Sequence, residues 1–511
     1  MIYTDKILLS LFTFILFGVT ISAQDILPCA TPPVKSDWLK KYQKSPHFYA
    51  KKGDTILHVP VSLHVLNNDN GSNPFSIKKV LGNFCQLNED FASSNIQFFI
   101  EGDINHINNT AWNNHDHVSI GYEMMIMNNV PNTINCYIVD RAAGAGGYNL
   151  PSANAIALLK AAVSEDLHTW AHEIGHNLSL QHTFLGWEGD VYSYNTPTPT
   201  EVYYDYTFFK EVWNPDTIIT DTALVEYVAR TNCYQAADGF CDTPPDYISG
   251  GWQCNGEGQS FQLQKDPDGV DFRSDGRNFM SYSTDACNSY FTPEQAAAMR
   301  ANLLDEKSNY LYNQNPPDDI IATPTLLYPT GDTLDVNDQL QLEWEALPNA
   351  THYYYEVNRL SSFNPSLNIT SGITSEAGII LDLNLSSNST YHWRILPFNA
   401  RHTCSDFSEG ASFYVESFVN TNHINGVEQF EVYPNILSNG QNIHFELITH
   451  RTLPIQADIY DLNGQLVQAL FNQTVNGNFT TSITPDNLSA GIYFVAIQAN
   501  EDIAYRKIVI R

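Results

Sequence analysis

The stretch HEIGHNLSLQH, residues 172–182, sets three histidines and one glutamate within eleven positions. His172 and His176 are four apart, so a helix places them on one face, where both can grip one ion. Glu173 stands beside them, able to take a proton from water. A catalytic ion of this kind needs a third protein ligand and one open position. Two histidines compete for the third place. His168 shares the face, but it is eight residues from His176, about 12 Å along a helix axis at 1.5 Å per residue. Metal–nitrogen bonds are only about 2 Å long. His182 can reach if the helix ends near Ser179 and the chain turns back, and the same geometry leaves His168 a packing or surface role. A carboxylate third ligand, Glu188 or Glu201, is a further option. Both lie in or near a Tyr-, Thr- and Pro-rich stretch, 186–230, which reads as an irregular insertion with no second helix. The bland alternative is a polar helix face with scattered histidines.

The flanks supply the frame around this helix. ILHVPVSLHVL, 56–66, alternates apolar and polar positions like a strand. Residues 76–95 carry apolar side chains at Ile77, Val80, Leu81, Phe84, Leu87 and Phe91, helical spacing with Ser76 as N-cap. IQFFIEG and TINCYIV read as strands, as does 154–163, whose first half suits an upper edge strand for pairing with an extended peptide. Ser164 is expected to cap the motif helix, with Glu165 and Asp166 in its first turn. TPEQAAAMRANLL, from Thr292, is a helix with Pro293 in its first turn and Gln295 closing a capping box.

At 511 residues the chain is too long for one core. Apolar residues are 43% and charged ones 16%, which marks a globular rather than a disordered chain. Lys plus Arg is 25 and Asp plus Glu is 56, a net charge of −31. That field repels nucleic acid and anionic membranes, so no nucleic-acid partner is expected. Residues 1–23 join a basic start, an apolar run from Ile7 to Val19 and a small-residue cleavage site, and read as a secretory signal peptide. The run falls short of the roughly 20 residues a membrane span needs, and no later stretch qualifies, so no integral membrane segment is expected. Residues 24–54 form a short N-terminal or pro-segment, and 55–315 the domain that carries the motif. After the linker NQNPPDD, 313–319, the chain turns to short β-like runs. These fit two all-β sandwiches at 322–418 and 425–511.

Three segments carry a resemblance. HEIGHNLSLQHTF, 172–184, resembles the long zinc motif of metzincin metalloproteases. RNFMSYSTDACNSYFTPEQAAAMR, 277–300, resembles the Met-turn segment of the pappalysin family. ADGFCDTPPD, 237–246, resembles that family's Asp-Thr-Pro segment. The resemblance spans about 260 residues. It implies an α+β metzincin-like domain and a secreted zinc endopeptidase acting on proteins or peptides. Zn2+ would be held by His172, His176 and His182, with Glu173 as general base and acid. Met280 would lie under the metal and Tyr282 would support the oxyanion. Ca2+ is implied near Asp238 and the carbonyls of Phe240 and Thr243. Two positions depart from the pattern. Ser179 replaces a glycine suited to a left-handed turn, at about 1–2 kcal/mol of strain. Ser281 replaces an aspartate, which removes a polar contact.

Eight cysteines in an exported chain are disulfide candidates. Near the site the expected pairs are Cys233–Cys241 and Cys254–Cys287, although sequence does not fix connectivity. Cys29 could place a thiolate in the open zinc position of a latent form. A disulfide with Cys85 or Cys136 is the preferred reading. Trp344 and Trp393 belong to strands that resemble fibronectin type III and are expected in its core. The segments 430–447, 457–468 and 488–510 resemble the C-terminal sorting domain of type IX secretion substrates. That implies the type IX machinery as a partner and a secreted or cell-surface location. The competing function is a catalytically silent adhesin on the same scaffold.

Overall fold

The computed structural model describes residues 29–49, 55–188, 191–205, 220–335, 339–416, 424–438, 440–486, 488–500 and 502–511, so the expected signal peptide at 1–23 lies outside the described residues. The chain divides into two units: 1–330 with 341–380 and 391–412, and 331–340 with 381–390 and 413–511.

The first unit opens on helix α1 (Asp37–Lys44) and a single turn, α2 (Pro46–Tyr49). The Ser36 hydroxyl caps α1 by accepting from Leu39 N at 3.0 Å. Strand β1 (Leu57–Asn67), helix α3 (Ile77–Asp90), β2 (Ile96–Ile100) and β3 (Asn105–Asn108) follow. Next come α4 (Thr110–Asn113), β4 (Asn114–His115), α5 (Val118–Asn128), β5 (Ile134–Val139), β6 (Arg141–Ala142), β7 (Gly147–Leu150) and β8 (Ala155–Leu159). The main sheet runs β2-β1-β5-β8-β7, with β3 also beside β1. Every pairing is parallel except β7 on β8. β1 alternates in sequence, yet all its residues but His58 are buried. As a central parallel strand it has both faces covered. Its buried His64 is satisfied internally, by Asn135 and Asn105 at 3.0 and 3.1 Å.

Several sequence expectations need correction. Ser76 holds the N-cap position of α3, but its hydroxyl makes no cap bond. The strand expected over 154–163 stops at Leu159 and gives way to a 3-10 turn, Lys160–Ala162. The motif helix α6 covers Thr169–Asn177 and does not start at Glu165. Asp166 has φ +67°, which breaks any helix there. The carbonyls of Ser164 and Leu167 instead accept from Asn83 Nδ2 at 2.6 and 2.8 Å. The edge strand is β7, not β8, because β8 is paired on both sides. The insertion is not wholly irregular: β9 (Glu201–Asp205) and β10 (Thr220–Leu224) pair antiparallel. Two short strands, β11 (Gln264–Lys265) and β12 (Asp271–Phe272), precede the last helix of this part, α7 (Pro293–Asp305). The Thr292–Gln295 capping box on α7 forms in full.

The first unit continues into all-β structure. β13 (Leu326–Tyr328), β15 (Leu340–Trp344) and β18 (Gly378–Leu381) form one sheet; β16 (His352–Asn358), β17 (Asn368–Thr374) and β19 (Ser389–Phe398) pair in another. Trp344 and Trp393 are buried with ring centroids 6.3 Å apart. This part shares the apolar core of the preceding α+β part through Tyr354, Leu396 and Phe398. A disulfide the sequence reading missed, Cys85–Cys404, joins α3 to the loop after β19, across 319 residues. Closing so long a loop restricts the unfolded chain strongly. Cys404→Ala should therefore lower unfolding free energy by about 2–5 kcal/mol, read as a drop in denaturant midpoint with a steeper slope, because the unbridged chain unfolds to a more expanded state.

In the second unit, β14 (Thr333–Asp335) pairs in parallel with β20 (Ala411–Glu416). The remaining strands, β21 (Val427–Tyr433), β22 (Ile436–Leu437), β23 (Ile443–Tyr460), β24 (Leu466–Ile483), β25 (Gly491–Ala499) and β26 (Asp502–Ile510), form one sheet system. The order is β21-β23-β25-β26-β22, with β24 beside β23. Their alternating apolar residues enclose a separate core that includes Phe430, Phe445, Ile459, Val495 and Ile508.

Candidate metal centre

The α6 sequence builds the site by ending at the right place. Leu178 N bonds Ile174 O, Ser179 N bonds His176 O at 2.9 Å and Leu180 N bonds Gly175 O at 2.9 Å. Ser179 takes φ +77°. This is a Schellman stop with serine at the left-handed position that glycine usually fills. The Ser179 hydroxyl accepts from Asn302 Nδ2 at 3.1 Å and meets Ser36 Oγ at 3.5 Å, which helps offset the strain. The reversal swings His182 back to the helix. His176 Nε2 then lies 3.1 Å from both His172 Nε2 and His182 Nε2.

That convergence is a test of whether a metal fits. His172 Nδ1 bonds the carbonyl of Phe279 at 2.7 Å and His176 Nδ1 bonds that of Leu180 at 3.0 Å. A carbonyl only accepts, so both Nδ1 atoms carry the proton and both Nε2 atoms point lone pairs at each other. Burial pushes the His172 pKa down to about 4; burial, then neighbouring imidazoles, holds His176 and His182 well below the usual value. Neutral rings with facing lone pairs repel unless a cation sits among them. Tetrahedral zinc with bonds of about 2.0–2.1 Å spaces its nitrogens by about 3.4 Å. Each ring also has an outer partner on Nδ1, the arrangement that orients metal-bound imidazole. For His182 that partner is Glu188, at 3.4 Å. Glu188 is thus behind a ligand, held by Gly186 N at 2.7 Å, while Glu201 is exposed in β9; neither joins the histidine group.

The fourth member of the group is Cys29, all ligand atoms lying within 4.8 Å of one another. This corrects the expected disulfide: Cys85 pairs with Cys404, and Cys29 and Cys136 are both free and buried. Burial, then the Glu173 carboxylate, pushes the Cys29 thiol well above its usual value, so a thiolate there needs a cation beside it. Residues 29–31 reach further. Ala30 N bonds Gly147 O at 3.0 Å on the β7 edge. Thr31 Oγ1 donates to Glu173 Oε2 at 3.0 Å and accepts from Asn149 N at 2.7 Å. Tyr282 Oη donates to Cys29 O at 3.1 Å and accepts from Cys29 N at 2.9 Å. Burial keeps the Tyr282 phenol protonated.

Glu173 is fully buried, its Oε1 has no hydrogen-bond partner, and burial raises its pKa to about 8. Met280 packs beneath α6: a Cβ on Gly175 would lie 2.6 Å from its Sδ, so only glycine admits this approach. His168 sits at the N-cap of α6, away from the metal group, with Nδ1 on both oxygens of Asp90 at 2.9 and 3.0 Å.

The outlying predicted residues fall around this centre. Cys233–Cys241 and Cys254–Cys287 are disulfides. Asp238 Oδ1 accepts from Phe240 N, and the Thr243 hydroxyl, with one proton to give, lies 2.9 Å from Asp238 Oδ1 and 2.7 Å from Phe240 O. Burial raises Asp238 to about 7 and nearby Glu226 to about 9, and Glu226 Oε1 has no partner. Sequence reading missed Asp246. This buried carboxylate accepts from Thr183, Ser274 and Ser281 at 2.7, 2.6 and 3.4 Å, and so ties the His182 loop to the Met280 turn. Its signal was its place at the end of the Asp-Thr-Pro segment. Ser281, shorter than aspartate, also avoids setting a second carboxylate against Asp246.

Comparison with known proteins identifies one region. Residues 431–511 match the family described as the secretion system C-terminal sorting domain. The chain is an exported protein whose C-terminal domain addresses it to type IX secretion. No helix among the described residues is long and apolar enough to cross a membrane. No curated protein matches the chain. Partial likeness is found to the FN1–FN3 domains of chicken CNTN1, at 13% identity over 38% of this chain and 68% of that one, with TM-score 0.18. The teleost fish polymeric Ig receptor ectodomain gives 9% identity over 37% and 97%, with TM-score 0.20. Murine CEACAM1b gives 12% over 37% and 98%, with TM-score 0.15.

Proposed function

We propose that this chain is an exported zinc endopeptidase of the pappalysin type, followed by a fibronectin type III-like domain and held latent by its own residues 29–31. One observation carries the reading: those residues engage every group that peptide hydrolysis would use. Cys29 Sγ joins the three imidazoles, Thr31 bonds Glu173, the Cys29 backbone bonds Tyr282, and Ala30 bonds the β7 edge. His172, His176 and His182 would hold the ion, with Cys29 in the remaining position. When bound there, zinc supplies the Lewis acidity that polarises a scissile carbonyl and lowers the pKa of a water.

The chain's own residues do the rest. With residues 29–31 withdrawn, β7 offers its edge to an extended peptide through main-chain hydrogen bonds. Glu173 takes the proton of the attacking water and passes it to the leaving amine. The Tyr282 phenol donates to the carbonyl oxygen as it gains charge. Asp238 and the carbonyls of Phe240 and Thr243 would be the donors for a structural calcium, with Glu226 nearby; Lys35 already sets its ammonium against both carboxylates.

The test is Cys29→Ala. A tethered group acts at an effective concentration on the order of millimolar, so removing its key atom should raise casein hydrolysis by about tenfold or more. A chelator should abolish the gain and zinc restore it. An unchanged rate sinks the latency; no hydrolysis in a zinc-loaded variant sinks the peptidase reading and favours a silent adhesin.

A further inference from the structure

His182 differs from the other two histidines in what stands behind it. The Nδ1 partners of His172 and His176 are backbone carbonyls, fixed by the Met280 turn and by the stop of α6. The Nδ1 partner of His182 is a side chain, Glu188, at 3.4 Å. We infer that the hairpin β9–β10 is a positioning element for the metal: it packs on Gly186, Gly186 holds Glu188, and Glu188 sets the third ligand. The inference rests on the proposed three-histidine zinc centre.

Glu188 suits this place because it has two acceptors. Its Oε2 accepts from Gly186 N at 2.7 Å and its Oε1 faces His182 Nδ1. With Nε2 aimed at an ion, Nδ1 carries the ring proton, so both neighbours of Glu188 donate. A carboxylate accepts from both. An amide offers one oxygen and sets its NH2 against the other donor. Negative charge behind the ring also raises the basicity of the imidazole as a metal ligand. Glu188 is buried, so solvent does not stand in for it.

The hairpin reaches Glu188 through the turn at 183–187. Leu185 N bonds His182 O at 3.2 Å and Trp187 N bonds Phe184 O at 2.9 Å. Gly186 takes φ +105° in this turn, and both strands close on it. A Cβ there would lie 2.5 Å from Ala223 Cβ of β10 and 3.2 Å from Val202 Cγ2 of β9. This is the backbone whose N–H grips Glu188. The same turn supports the face of the His182 ring, because Phe184 stacks on it at 4.7 Å and 10°. Phe184, Trp187, Val202 and Tyr247 share one buried apolar cluster, with Ala223 packed against it. A shift of β10 is therefore passed to Gly186 and Glu188, whereas His172 and His176 ride on α6.

The test measures zinc rather than hydrolysis. Zinc dissociation constants are taken by competition with a chromophoric chelator on four full chains: the parent, Glu188→Gln, Ala223→Val and the double variant. Glu188→Gln should weaken zinc by about 10–100-fold, the usual effect of losing an outer partner. The melting temperature of the zinc-free chain should hold. Ala223→Val, whose added methyls meet Gly186, should weaken zinc by about tenfold. The double variant should be no weaker than Glu188→Gln alone, because both changes act through one group. Unchanged zinc affinity in Glu188→Gln, with a lower melting temperature, would make Glu188 a structural residue and overturn the proposal. Full additivity in the double variant would overturn the route through Gly186. If Glu188→Gln does not fold, Ala223→Val decides, since unchanged zinc affinity there also sinks the hairpin's role. A parent chain that binds no zinc overturns the centre itself and the peptidase reading with it. A parent that binds zinc no better than its variants overturns only the part given to the hairpin and Glu188.

Discussion

Glu173→Ala, placed in the Cys29→Ala chain, should lower casein hydrolysis by about 10²–10⁴-fold, the usual cost of losing a general acid–base group. Zinc should stay near one per molecule. The two expectations separate because Glu173 is not in the histidine group. Its carboxylate is aimed instead at the space residues 29–31 fill, with Oε2 on Thr31 and Oε1 unpaired. Gly147 fixes that aim: a Cβ there would lie 2.9 Å from Glu173 Cγ, so the strand backs directly on the side chain. Alanine removes the base and leaves the helix, its stop and the three imidazoles as they are. Retention of more than a tenth of the rate would remove Glu173 from the proton transfers, and loss of zinc would make it a structural support.

The sequence showed the local chemistry better than the long-range contacts. Helical spacing and bond length together separated His168 from His182, and the capping box at Thr292 was readable letter by letter. What it hid were contacts set by the folded chain. Alternation in 56–66 suggested a half-buried strand, yet β1 is central, because strand order is a property of the whole sheet. The strand 155–159 carried the apolar pattern of a paired element, but only the hairpin shows that β7 lies outside it. The start of α6 was misplaced because Ser-Glu-Asp is a good cap signal, and nothing local announces that Asp166 adopts a positive φ. The partner of Cys85 stands 319 residues away. Ser179 read as a costly departure, and its compensation, a hydroxyl held by Asn302 of α7, depends on a helix more than a hundred residues on.

His182→Ala and His168→Ala should part company on metal content. His182 is 1% exposed, and its Nε2 is 3.1 Å from that of His176. Loss of an outer partner alone typically costs a metal site about 10–100-fold in affinity, so loss of a direct ligand should cost more than about 100-fold and leave the purified chain largely free of zinc. His168 contributes differently. Burial works against its charged form, but Asp90, then Asp285 and Asp166, lift it above the usual imidazole value. Its side chain is 14% exposed and that of Asp90 is 5%. Removing the ring strands the Asp90 carboxylate, which keeps only Gln86 Nε2 at 2.9 Å among its side-chain donors. A broken buried pair costs on the order of 3 kcal/mol, so His168→Ala should melt earlier while holding its zinc. Metal analysis and melting curves on the same two preparations decide the matter. If His168→Ala loses the zinc and His182→Ala keeps it, the facing lone pairs at His176 have some other origin, and the three-histidine centre falls with them.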